Sequence, residues 1–309
     1  MRHAGARSFP RSEPTASGEN HQLRGILRPV PFTFAHPAVA IPLLRPLARF
    51  GVLSALVIGS MAPDFSYFLP FPISRSQSHS IAGLFWFCVP VGLVAYVVFH
   101  RLLARPVVDL LAAPLRMRLL PVIDARVDAP WRAVIVSLFI GAVTHIAWDA
   151  FTHAGAPLVR VSRGLRFHLV TLSGYPLSVY TVLQHLSTAL GFALIALWIW
   201  RWVRSAEPNP DAARGALSPG GRAAAILAVV AVIAVLWLES KGLRPMREHT
   251  LRGLQFFLRR AVPTGISSAS AALLLYAVVW HLAVRAAGRW RLSAILLALC
   301  TLIANSAAA

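Results

Sequence analysis

The decapeptide Thr144-His145-Ile146-Ala147-Trp148-Asp149-Ala150-Phe151-Thr152-His153 sets two imidazoles and a carboxylate at the end of an apolar run that begins near Ala133. On a helix His145, Asp149 and His153 are spaced i, i+4, i+8 and fall within an arc of roughly 80°, one above another. An apolar helix does not need these groups for solubility. Ionisable side chains in a membrane-like segment are costly, and where they occur they line a site or a pathway. Mixed imidazole and carboxylate donors suit a divalent metal, zinc first and manganese or iron(II) as alternatives.

Other parts of the chain supply the same residue types. His36 precedes Pro37 at a helix start, Asp64 follows Pro63 at the end of a short apolar segment, and His79 stands in Ser78-His79-Ser80 before a long apolar run. His185 lies in the first turn of a later run. The candidate metal ligands are therefore His36, Asp64, His79, His145, Asp149, His153 and His185. Asp64 or Asp149 is either a ligand or the base that orients a water. Each residue also has an ordinary reading. His145 alone could be a hydrogen-bonded core histidine, Asp149 its neutralising partner, His36 a helix-start residue and His79 an interfacial cap. The aspartates weigh against reading each alone. Asp and Glu number 11 in the whole chain, and from residue 31 to 185 they are Asp64, Asp109, Asp124, Asp128 and Asp149 only. Two of those fall at span ends beside the histidines, whereas Asp109, Asp124 and Asp128 sit in an arginine-rich stretch and read as solvated charge. A metal-free polar network and unrelated interfacial positions are the alternatives to a shared metal site.

The elements that must position these groups read as membrane helices. Charged residues make up 13% of the chain, about half the usual globular share, and mean hydropathy is +0.64. Runs free of Asp, Glu, Lys and Arg span 76–100, 133–148, 167–200, 223–238, 261–284 and 292–309, several near the ~20 residues that cross a bilayer. The fold class is all-α: a polytopic transmembrane helical bundle with a short N-terminal helical hairpin and interfacial loops, placed in the cell membrane. The net charge of +19 does not indicate nucleic acid, because the arginines flank apolar runs, as headgroup contact and topology require. Membrane lipids are the expected partners. Lys and Arg divide almost equally between the two sides and select no orientation. Cys88 and Cys300 lie in apolar runs and imply no disulfide or thiolate metal site.

Along the chain, residues 1–30 read as a disordered basic tail and 31–204 as the His/Asp-containing core. Residues 205–221, with Pro208, Pro210 and Ser218-Pro219-Gly220-Gly221, read as a linker, and 222–309 as C-terminal transmembrane helices. Within the core, two short segments around Gly51 predict a hairpin that returns Asp64 to the end that holds His36. Pro90 predicts a kink in the helix that follows His79. Residues 101–132 and 153–180 read as polar connections, and 241–260 as an amphipathic interfacial helix.

Several of these strings resemble a bacterial membrane family known as domain of unknown function 4184. They are Pro31-Phe-Thr-Phe-Ala-His36-Pro-Ala, Ser54 through Asp64-Phe65, Ser78-His79-Ser80 into Gly83 through Pro90, Thr144 through His153, and Tyr175-Pro176 with Leu183-Gln184-His185. The likeness covers about residues 31–204. More distantly the pattern is similar to inner-membrane proteins described as metal-dependent hydrolases and to zinc-dependent phospholipases C. That likeness implies His36, Asp64, His79, His145 and Asp149 as the metal-site residues. The resulting expectation is a metal-dependent hydrolase at the bilayer interface, acting on a phosphoester or lipid-like substrate. The alternative is a non-enzymatic transporter, scaffold or lipid-binding factor whose cluster is structural or carries protons.

Overall fold

The computed structural model describes residues 33–43, 45–47, 51–69, 72–124, 129–172, 175–213, 215–240 and 251–285. The elements in order are α1 (Thr33–Leu43), α2 (Leu53–Met61), which runs on as the 3₁₀ turn Ala62–Tyr67, α3 (Ile81–Asp109) and α4 (Ala113–Asp124). Then come α5 (Trp131–Thr152), α6 (Val179–Ser205), α7 (Pro219–Glu239) and α8 (Leu251–Arg285). Among the described residues, five helices are long and apolar enough to cross a membrane, and they belong to α3, α5, α6, α7 and α8. The protein is an all-α polytopic membrane protein. The expected tail over 1–30, the last span near 291–306 and the first half of the expected interfacial helix lie outside the described residues. From Leu251 the backbone is one helix continuous with the next span.

α1 and α2 form the expected hairpin and pack on α5. Small residues permit the approach. A Cβ added at Gly59 would collide with the backbone of Leu138, and one at Gly141 with the backbone of Leu56 and Ser60. Close backbone contact through small residues is how helices associate where burial from water contributes little. The Val52 N–H donates to Ser137 Oγ at 2.9 Å and ties the start of α2 to α5. Val52, Ala55, Tyr96, Val134 and Leu138 form one core across α2, α3 and α5. Ala62, Leu84, Phe87, Cys88 and Ala142 form the next layer toward the histidines. Cys88 is buried, its thiol 3.2 Å from the Ser78 carbonyl.

α3 begins as its sequence predicts. Ser80 is the N-cap, its Oγ accepting the Gly83 N–H at 2.8 Å. Around Pro90 the helix widens into a π turn over Leu84–Cys88, because proline supplies no N–H to the preceding turn. Two connections are more ordered than their polarity implied. α3 continues to Asp109, and α4 follows over part of the stretch 101–132. Arg101 and Arg105 sit at the helix surface, Arg105 pairing with Asp124 at 2.8 Å. Residues 153–180 contain the short helices Pro157–Val161 and Arg163–Arg166. They also hold an antiparallel hairpin of β1 (His168–Leu172) and β2 (Tyr175–Ser178), with Thr171 opposite Pro176 and Leu172 opposite Tyr175.

Asp109 departs from its expected role as solvated charge. It is 6% exposed, and its carboxylate accepts the Trp280 Nε1–H at 3.0 Å and the Ala216 N–H at 3.0 Å. α8 and the segment before α7 close over the end of α3, which is why the charge is withdrawn from solvent. Beside it Arg116 donates to the carbonyls of Leu111, Ala212 and Ala213. The stretch 205–221 is thereby fastened to α4, with a 3₁₀ turn at Pro210–Ala213.

Candidate metal centre

At the opposite end of α3, four side chains from three places in the chain converge. Asp64 comes from the turn after α2, His79 from the residue just before the α3 cap, and His145 and Asp149 from the last two turns of α5. One ligand atom from each lies within 4.8 Å of every other. The residues are withdrawn from water: His145 is 0%, Asp64 3% and Asp149 4% exposed.

The contacts within the group are carboxylate to imidazole. His79 Nε2 is 3.4 Å from Asp64 Oδ1 and 3.3 Å from Asp149 Oδ2. His145 Nε2 is 3.3 Å from Asp149 Oδ2 and 3.7 Å from Asp64 Oδ1. These separations exceed the ~2.7–2.9 Å of a charge-assisted N–H···O bond. They match the edge of a tetrahedron of ligands about 2.05 Å from a central ion, which is roughly 3.3 Å. His79 Nε2, His145 Nε2 and Asp149 Oδ1 are buried with no hydrogen-bond partner. Buried polar atoms are nearly always satisfied, so three orphans in one group require an explanation.

Three of the four members, His145, His79 and Asp64, are held through their other atom. His145 Nδ1 lies 2.7 Å from the Ser60 carbonyl oxygen. A carbonyl only accepts, so Nδ1 carries the proton and Nε2 presents a lone pair. His79 Nδ1 is 3.0 Å from Ser78 Oγ, and the tautomer in which Nδ1–H donates to that hydroxyl presents the Nε2 lone pair to the carboxylates. Thr33 Oγ donates to Asp64 Oδ2 at 2.7 Å, leaving Oδ1 toward the histidines. A second partner that fixes the tautomer and aims the ligand atom is the usual companion of a metal-bound histidine.

The remaining candidates divide. His36 stacks on His145 with ring centroids 3.8 Å apart, and its Nε2 is 3.6 Å from Asp149 Oδ1. Burial pushes its pKa down to about 3, so the ring is neutral. His153 is not the third residue of a helical stripe. α5 ends at Thr152, and His153 is the extended C-cap residue. Its Nδ1 still lies 3.1 Å from Asp149 Oδ1, which places it around Asp149 and outside the group of four. His185 is not brought to the cluster. It is on an exposed position of α6, while its neighbour Gln184 is buried and reaches His153, Nε2 to Nε2, at 3.2 Å.

Thr33, Arg75, Ser78 and Gln184 are participants that residue type did not single out. Arg75 pairs with Asp149 Oδ2. Thr33 had a signal, standing three residues before His36 on one helical face. Gln184 had one too: Thr181, Gln184 and Gly191 are the buried positions of α6, a small and polar face on an otherwise apolar helix.

Two cavities border the group. One, of about 590 Å³, is lined by Arg75, His79, Asp149, His153 and Arg160 with Tyr67, Ser74 and neighbours. The other, of about 330 Å³, runs between α1, α5 and α6.

No curated protein and no solved structure matches the chain. A family model described as "Domain of unknown function (DUF4184)" matches residues 30–278. That match takes in every residue of the His/Asp group and extends through α7 into α8, beyond the part of the chain where the motifs lie. The chain therefore belongs to the DUF4184 family of domains of unknown function.

Proposed function

We propose that this protein is a metal-dependent hydrolase of the cell membrane, acting at the bilayer interface on a phosphoester of a lipid-like substrate. The observation that carries the reading is the donor set itself. Two imidazole nitrogens and two carboxylate oxygens face one another at ligand spacing, with three buried atoms in the group lacking partners. His79, His145, Asp64 and Asp149 would hold the ion, and a mixed N/O set favours zinc over manganese or iron. A bound divalent ion supplies Lewis-acid polarisation of a phosphoryl oxygen and a water acidic enough to act near neutral pH.

The protein's own groups supply orientation and proton traffic. Ser60 fixes the His145 tautomer, Ser78 holds His79, and Thr33 aims Asp64. Asp149 Oδ1, facing His36 and His153, is placed to accept a proton from a water that enters the 590 Å³ chamber. In the reaction the water oxygen joins phosphorus, the phosphorus–oxygen ester bond breaks, and the leaving oxygen takes up a proton. The chamber holds that exchange between the arginines and the cluster. Arg75 and Arg160 line its wall, and guanidinium groups suit a phosphoryl group's charge and planar, bidentate recognition.

One observation favours a second reading, a metal-free polar network in a transporter or scaffold: Arg75 already pairs with Asp149. The two readings separate by metal content. Detergent-purified protein measured by elemental mass spectrometry should carry one to two equivalents of zinc, manganese or iron. The His145→Ala/Asp149→Ala variant, matched for folding, should carry none. Metal-free parent protein after reconstitution with each ion would leave the polar network standing and end the hydrolase reading.

A further inference from the structure

The two cavities beside the cluster differ in chemistry and share a thin wall. The chamber of about 590 Å³ holds Arg75 and Arg160 and opens on His79 and Asp149. The groove of about 330 Å³ is lined by His36, Val39, Pro42, Trp148, Leu190 and Leu194, among others. His36 lines the groove and also lies 3.6 Å from Asp149 Oδ1, so the thickness of one imidazole separates an apolar slot from the candidate reaction centre.

The groove is reached from the hydrocarbon. Trp148, Leu190 and Leu194 are 45%, 54% and 51% exposed on helices that cross the membrane, so its rim faces lipid tails. An apolar solute therefore enters without crossing water. The chamber has the opposite character. Arg75 pairs with Asp149 and Arg160 lines the same chamber; a metal would also neutralise that one carboxylate, which leaves positive charge for an anion.

We propose that the two cavities hold the two ends of one substrate: a single-chain phosphoamphiphile, its phosphoryl head between Arg75 and Arg160 and its hydrocarbon chain in the groove between α1, α5 and α6. The identity of the bond cleaved rests on the hydrolase reading. The placement of head and chain rests on the cavities alone. One groove takes one chain, and His36, at the wall between them, sits at the junction of head and tail. A soluble phosphoester would use the chamber and leave the groove unused.

The test uses zinc-loaded full-length protein in nanodiscs and a monoacylglycerol phosphate that carries a photoactivatable diazirine at the end of its chain. Crosslinks should map by mass spectrometry to residues 35–42 and 187–194. Thr188→Trp, which fills the groove wall, should lower that labelling at least tenfold with zinc content unchanged, and Leu194→Trp should do so from the far end. Arg160→Ala should weaken labelling by the phosphate about tenfold and leave labelling by an uncharged monoacylglycerol alone. Labels spread evenly over the lipid-facing surface of every span, or insensitive to both tryptophan variants, would overturn the proposal. Labelled groove without phosphate release would end the hydrolase reading and keep this one. Phosphate release with an unlabelled groove would do the reverse.

Discussion

The molecule buries carboxylates at both ends of α3, and the two sites solve the same electrostatic problem differently. Asp109 is answered from within the chain: the Trp280 indole and the Ala216 amide donate to it, and the neighbouring Arg116 spends its donors on backbone carbonyls. Asp64 and Asp149 are surrounded by imidazoles whose Nε2 atoms stand 3.3–3.7 Å away and are not hydrogen-bonded. A satisfied network fixes packing; an unsatisfied one at the same depth is the kind that a ligand completes. Both ends bury an aspartate to a similar depth, so hydrogen-bond satisfaction is what separates a bracket from a site.

The comparison breaks most directly by exchanging the lesion. His145→Ala/Asp149→Ala should abolish metal content while Asp109→Ala retains it in full, as read by elemental mass spectrometry of both proteins; equal loss in both would mean that the two ends are not distinct. Asp109→Ala should act on stability. It leaves the Trp280 and Ala216 donors buried without an acceptor, a loss of about 2–4 kcal/mol, seen as a lower thermal midpoint in detergent. His153→Ala should leave the metal in place and weaken its binding about 10–100-fold, the usual effect of losing a group that orients a ligand. A chelator competition titration measures it, and unchanged affinity would remove His153 from the site. Thr33→Val gives the smallest effect. It deletes the bond to Asp64 Oδ2, worth about 1 kcal/mol, and should lower metal affinity less than tenfold in the same titration.

Much of the site is legible in the sequence. Asp64, His79, His145 and Asp149 stand out because ionisable residues are scarce in a chain this apolar, and because the span ends collect them on one side. The α1–α2 hairpin was legible from Gly51 and two short apolar segments. Other features were hidden for specific reasons. His153 was counted on a helix that ends one residue before it, since helix ends depend on capping and on the chain's exit direction. His185 was chosen over Gln184 by residue type, whereas the inward face of α6 is set by its packing. Asp109 read as solvated because nothing in its neighbourhood announces that Trp280, 171 positions away, will donate to it.

The sequence by itself determined the solvent. Its composition and charge-free runs admit only helices across a bilayer, because backbone groups in hydrocarbon must bond within their own segment. It also determined which residues could act, by confining carboxylates and imidazoles to a few span ends. Tertiary structure decided which of them meet. The tautomers, the unpartnered Nε2 atoms and the two unlike cavities on either side of His36 arise where α1, α2, α3, α5 and α6 come together. Those contacts join residues far apart in the chain, and no local pattern encodes the distance between them.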